Sequence, residues 1–185
     1  MNHLYYYYTN EFKPKQCDEI IKSFEVQTLD NGTTGLDNTP DKDIRRSKIK
    51  FITEDQALER KLIKYFHEAN RESFGFNIFD KIEIQFTEYD ENYKGFYRTH
   101  IDCQLVSKEY YQRKLSMVIF LTDKSDYEGG EFRLWDLACN DWIELPNFNK
   151  GDIIIFPSFF PHEVTPVTKG KRHTLVAWLE GESFR

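Results

Sequence analysis

Apolar residues recur at helical spacing in two N-terminal stretches, then give way to short alternating runs that continue almost to the end of the chain. In residues 14–27, Ile20, Ile21 and Phe24 mark one face, and Pro14 stands where a first-turn proline is tolerated. In residues 54–70, Leu58, Leu62, Ile63, Phe66 and Ala69 form a stripe with charges opposite. Both segments predict helices. Residues 4–8 are aromatic and predict an early strand. Residues 28–43 are polar, carry Gly32, Gly35 and Pro40, and predict a loop or loose hairpin; residues 46–52 alternate as a strand. Beyond Ile78 the period is that of strands, expected over 81–89, 97–102, 115–122, 130–134, 142–145, 152–157, 162–164 and 172–180. The glycines of Tyr127-Glu-Gly-Gly130 and Lys150-Gly-Asp152 suit tight turns. Two helices followed by many short strands predict a mainly β fold with flanking helices, a jelly-roll core supported by two N-terminal helices. A single domain over 1–185 is expected, with helical support at about 14–78 and a β core at about 80–180.

Composition narrows the function classes. Asp plus Glu number 31 against 25 Lys plus Arg, a formal net charge of −6, which argues against binding a nucleic-acid backbone. Aromatic residues make up 16% of the chain and suit half-buried strands. Three widely spaced cysteines, Cys17, Cys103 and Cys139, form no C-x-x-C pair and no disulfide framework. There is no signal-peptide pattern at the N-terminus and no apolar run long enough to span a membrane. A soluble protein of the cytoplasm is expected.

Candidate chemistry lies in three residues. His100-Ile-Asp102 sets an imidazole and a carboxylate two positions apart at the end of a strand pattern, where i and i+2 share a face. His162 follows the apolar run Asp152-Ile-Ile-Ile-Phe156 and a proline-flanked turn. Two imidazoles and one carboxylate on one face of an octahedron leave open positions, the arrangement of non-haem Fe(II) oxygenases. Arg172 opens a further apolar strand, and a guanidinium entering a barrel interior is costly unless it meets an anion. Taken alone, H-x-D is a weak signal, and a solvated strand-end pair is its bland explanation.

The segments Phe96-Tyr-Arg-Thr-His100-Ile-Asp102, Arg113-Lys-Leu-Ser-Met-Val-Ile-Phe-Leu-Thr122, Tyr127-Glu-Gly-Gly-Glu-Phe132, Gly151-Asp152 and the stretch from Pro157 to Trp178 resemble, in order and spacing, Fe(II)/2-oxoglutarate-dependent oxygenases of the prolyl 4-hydroxylase branch. The resemblance runs from about residue 14 to 180 and is strongest from 85 to 178. It implies a double-stranded β-helix, with Fe(II) held by His100, Asp102 and His162. It implies that Arg172 pairs with the C5 carboxylate of 2-oxoglutarate and that Tyr89 lines the same pocket. Trp178 matches an aromatic next to the distal histidine. Some relatives carry a hydroxyl at the position of Phe120; here Thr174 or Ser116 is left to make the second carboxylate contact. Ser116, Val118 and Phe120 alternate and are expected to share the interior face. Related halogenases lack the carboxylate, so Asp102 points to hydroxylation.

The reaction so implied consumes 2-oxoglutarate and O2, releases succinate and CO2, and hydroxylates a substrate, a prolyl residue of a peptide or protein by the same resemblance; ascorbate is the candidate reductant. Residues 28–47 and 104–113 flank the expected iron as a substrate clamp, with Arg45 and Arg46 as substrate-side candidates together with Trp178. Alternatives are hydroxylation of a small metabolite or free amino acid, and a non-catalytic β-helix binding module. His3 and His67 read as surface residues, His173 as facing away from the metal, and Cys103 as a small buried filler. Asp123, Asp126, Glu128 and Glu131 read as a solvated acidic turn, and Trp135 and Trp142 as packing residues or pocket walls.

Overall fold

The two helical stripes become helices of unequal length. In the computed structural model, which describes residues 4–34, 39–104 and 110–184, α1 covers Pro14–Glu25 and α2 covers Gln56–Ala69. The Asp55 carboxylate caps α2 by accepting from the Leu58 N–H, and a π-helical turn, Asn70–Phe74, closes it against left-handed Gly75. The strands are β1 (Tyr6–Tyr8), β2 (Asp30–Asn31), β3 (Arg45–Arg46), β4 (Lys48–Ile52), β5 (Ile78–Asp90), β6 (Phe96–His100), β7 (Tyr111–Phe120), β8 (Tyr127–Gly129), β9 (Phe132–Asp136), β10 (Asp141–Trp142), β11 (Ile153–Pro157), β12 (His162–Val164) and β13 (Val167–Glu182).

They form two antiparallel sheets. The larger runs β1-β11-β7-β13-β5-β4-β2, with β8 also paired to β13; the smaller runs β10-β9-β12-β6-β3. The alternation along β7 explains the layers. Leu115, Met117 and Ile119 point outward to meet Phe24 of α1 and Leu62 and Phe66 of α2. Val118 and Phe120 point inward and join Ile154, Phe156 and, from the smaller sheet, Leu134. The fold is mainly β with two helices, a jelly roll whose site lies between the sheets.

Several expectations change. Residues 46–52 do not make one strand. The chain crosses between sheets at Ser47: β3 pairs with β6 and β4 with β5, and buried Ser47 accepts through Oγ from Arg45 Nε. β6 stops at His100, so Asp102 is aimed by a bend, not by strand alternation, and its N–H donates to Ser158 O at 2.8 Å. The strand expected over 130–134 begins only at Phe132, because Gly129 and Gly130 (φ 72° and 62°) turn the chain between β8 and β9. The strand at 142–145 shrinks to Asp141–Trp142, and that at 172–180 grows to Val167–Glu182. Residues 28–43 include β2 and a Thr34–Thr39 bridge, a loose hairpin apart from residues 35–38, which lie outside the described residues, as does His3. Among the described residues no helix is long and apolar enough to cross a membrane.

Candidate metal centre

His162 opens β12 directly across from His100, the last residue of β6. The next aligned pair is Val164 with Tyr97, so three steps on β6 answer two on β12. This bulge sends Arg98 and Thr99 to solvent and keeps both Tyr97 and His100 on the inner face. Asp102 completes the group. Its Oδ1 lies 3.5 Å from His100 Nε2 and its Oδ2 lies 3.4 Å from His162 Nε2, and the three donors fall within 4.8 Å of one another. Donors in adjacent positions of one ion, at bonds of about 2.1 Å, stand about 3 Å apart, so the three fit a single cation.

The surroundings fix each donor. His100 Nδ1 lies 2.8 Å from Arg98 O and His162 Nδ1 lies 2.9 Å from Phe160 O. A carbonyl only accepts, so Nδ1 carries the proton in both rings and each Nε2 lone pair is free. Ser116 Oγ donates to Asp102 Oδ2 at 2.7 Å and sits 2.9 Å from Ser158 Oγ. Burial pushes the Asp102 carboxyl up, but His162 and His100 outweigh it and hold the group well below the carboxylate range. Burial and the like charge of His162 push His100 down. Burial also opposes the charge on His162, yet Asp102 raises it. A divalent ion binds such donors in competition with protons.

A cavity of about 710 Å³ joins this centre to Arg172. Arg172 is 1% exposed, and its Nε and Nη2 have no hydrogen-bond partner among the described residues. The guanidinium lies 5.5 Å from the ring centres of Tyr89 and Phe120. A buried guanidinium with open donors on a cavity is suited to a carboxylate brought from outside. Gly130 gives it room: a Cβ there would stand 3.0 Å from Arg172 Cδ.

The other predicted residues divide. Tyr89 pairs with Arg172 across β5 and β13 and lines the cavity, and Thr174 lines it beside Phe120. Ser116 does not line it; its proton is committed to Asp102, so it orients that carboxylate and cannot be the second cosubstrate contact. Trp178 lines the cavity with Nε1 unpartnered among the described residues, but the rings packed on His162 are Phe156 and Phe132, while Trp178 carries the Arg113 guanidinium at 3.8 Å. Arg45 and Arg46 point opposite ways, as neighbours on a strand must. Arg45 reaches the cavity; Arg46 donates to Lys42 O, lies over Phe96 and does not line it. Of the expected clamp, Thr33, Thr34, Gln104, Tyr111, Gln112 and Arg113 line the cavity beside Arg45, and residues 105–109 lie outside the described residues.

His67 pairs with Asp80 at the surface, and His173 faces outward to Thr122 and Glu88. Cys103 is buried but lines the cavity. Trp135 and Trp142 pack edge to face on each other, away from it. Sequence reasoning missed Gln85 and Tyr97. Gln85 shares the parity of Tyr89 on β5, a signal that was present; Tyr97 reaches the inner face only through the bulge.

Comparison with known proteins agrees with this geometry. Residues 84–180 match the family described as the 2OG-Fe(II) oxygenase superfamily. The chain is 33% identical over 99 residues to a PKHD-type hydroxylase of Aliarcobacter butzleri, covering 51% of this chain and 42% of that protein. It thus spans about two-fifths of the length of the curated relatives it matches. A Pseudomonas putida prolyl-4-hydroxylase superposes with a TM-score of 0.73 at 19% identity over 99% of this chain and 94% of that one. A Trichoplax adhaerens prolyl hydroxylase, solved with a hypoxia inducible factor oxygen degradation domain peptide fragment, gives 0.75 at 17% identity over 95% and 83%. At such identities these structures share the fold. The family match spans β6, β12 and the start of β13, where His100, Asp102, His162 and Arg172 converge, and the chain belongs to the 2OG-Fe(II) oxygenase superfamily.

Proposed function

We propose that the protein is an Fe(II)- and 2-oxoglutarate-dependent dioxygenase that hydroxylates prolyl residues in a peptide or protein, with release of succinate and CO2. The observation that carries this reading is the union, in one cavity, of a three-donor centre and a buried guanidinium with open donors. Fe(II) with 2-oxoglutarate and O2 supplies the oxidising power that turns a C–H bond into C–OH. The protein's part is positioning. His100 and His162 offer Nε2 and Asp102 a carboxylate oxygen, which leaves coordination positions for small ligands. The Arg172 fork takes the far carboxylate of the cosubstrate, helped by Tyr89 and Thr174, since Phe120 has no hydroxyl to give. Val118, Phe132, Val164 and Trp178 wall the cavity with apolar surface that excludes water.

The prolyl substrate is supported by structural neighbours that are prolyl hydroxylases, one of them solved with a peptide fragment. It is also supported by the outer end of the cavity, where Phe51 (45% exposed) and Tyr111 (50% exposed) leave an opening for a chain segment. Ascorbate is the proposed reductant for iron, and residues 1–185 the proposed single oxygenase domain. Free thiols at Cys17, Cys103 and Cys139 suit a reducing, cytoplasmic setting. Incubation with a library of proline-containing peptides, Fe(II) and ascorbate is expected to add one oxygen to a peptide only when 2-oxoglutarate is present. Succinate release with every peptide unchanged would remove the prolyl substrate, and iron binding without any 2-oxoglutarate turnover would remove the enzyme.

A further inference from the structure

Tyr97 is held between two partners. On one face its ring stacks on His100, with centroids 3.5 Å apart and planes 15° from parallel. On the other face the Arg45 guanidinium carbon lies 4.5 Å from the ring centre. A separation equal to carbon contact distance leaves little lateral offset, an arrangement that two neutral rings disfavour because their negative faces repel. It becomes favourable when one ring is electron-poor, as an imidazole is when its Nε2 holds a cation. The phenol ring is then flanked by positive charge on both faces, each attracted to its quadrupole.

Arg45 is itself tied to the N-terminal hairpin. It is buried, its Nε donates to Ser47 Oγ at 2.7 Å, and its Nη1 donates to Thr33 O at 3.2 Å. The approach depends on Gly32, where a Cβ would collide with Arg45 Nε and Ser47 Oγ. Gly32 N–H in turn donates to Ser47 O at 2.9 Å, and the neighbouring Thr33 and Thr34 line the cavity. One aromatic ring therefore connects a donor of the metal centre to a cavity wall that no metal touches.

We propose that Tyr97 is a positioning residue for His100, and that the Arg45–Tyr97–His100 column couples metal loading to ordering of the hairpin segments 30–34 and 39–47. The inference rests on the reading of His100, Asp102 and His162 as metal ligands. Coupling of this kind is reciprocal: what steadies the hairpin also tightens the metal.

The test uses Co(II) as the probe on the full chain, with titration calorimetry, the visible spectrum of the bound ion and amide hydrogen exchange. In the wild type, Co(II) is expected to slow exchange at the Gly32 and Arg45 amides by about fivefold or more. Tyr97→Phe keeps the ring and should keep the effect. Tyr97→Leu should lose it, shift the Co(II) spectrum and weaken Co(II) by about 10–100-fold. Arg45→Met and Gly32→Ala should bind Co(II) with the wild-type spectrum yet show no protection, which keeps the test decisive if Tyr97→Leu fails to fold. Co(II) binding to the wild type with unchanged hairpin exchange would overturn the coupling, as would protection that survives in Arg45→Met. Absence of both heat and colour in the wild type would instead strike down the metal-site reading beneath it.

Discussion

At the scale of single residues, the site consists of groups whose partners are already fixed and one group whose partner is not. Ser116 Oγ gives its proton to Asp102 Oδ2, so Ser116→Ala is expected to weaken metal binding about 10–100-fold, measurable by competition with a chromophoric chelator. Arg172 is the reverse case. Its Nε and Nη2 stay unmet among the described residues, and an unpaired buried charge opposes folding. Addition of 2-oxoglutarate should therefore raise the wild-type Tm, with a stabilisation of about 2.7 kcal/mol at a hundredfold excess over Kd. Arg172→Met should abolish that shift without lowering the Tm of the protein alone, and an equal shift in the variant would remove Arg172 from the cosubstrate site. The chain order of these chemical groups was legible in the sequence, because His100 and Asp102 form an H-x-D tripeptide, His162 follows an apolar run and Arg172 precedes one. The job of Ser116 was not legible. Its parity on β7 places it on the inner face with Val118 and Phe120, but only the tertiary approach of Asp102 decides which neighbour takes its proton.

At the scale of elements, the helices could be read in advance from local periodicity, and the β7 and β11 strands from apolar runs bounded by turn residues. The β6 bulge and the sheet switch at Ser47 could not, since both are set by strands distant in sequence. The β5–β13 pair carries a testable electrostatic tie. A hydrogen bond from His173, aided by Lys171, holds the Glu88 carboxyl at about 2, below its ordinary 4.5. The folded value is the lower one, so ionised Glu88 stabilises the fold above about pH 4.5, and that contribution disappears as pH falls toward about 2. Thermal melts of Glu88→Gln should accordingly lose part of the acid-side decline in this window. The β8–β9 turn offers a second check. Gly130→Ala places a methyl 3.0 Å from Arg172 Cδ at φ 62°, and denaturant titration should register a loss of about 1–2 kcal/mol.

At the scale of the whole molecule, two separate cores divide the work. The helices seal the outer face of the larger sheet, whereas the inter-sheet core carries the cavity walls. Leu62→Ala, in the outer core, is expected to cost about 2–5 kcal/mol in denaturant unfolding while leaving the KM for 2-oxoglutarate unchanged. The metal donors and the guanidinium also belong to different layers. His100 and His162 come from the smaller sheet, and Arg172 from the larger. A dicarboxylate gripped at both ends is therefore a crossbar between the two leaves of the sandwich. On the proposed reading, removing it should keep both leaves but slacken their clasp.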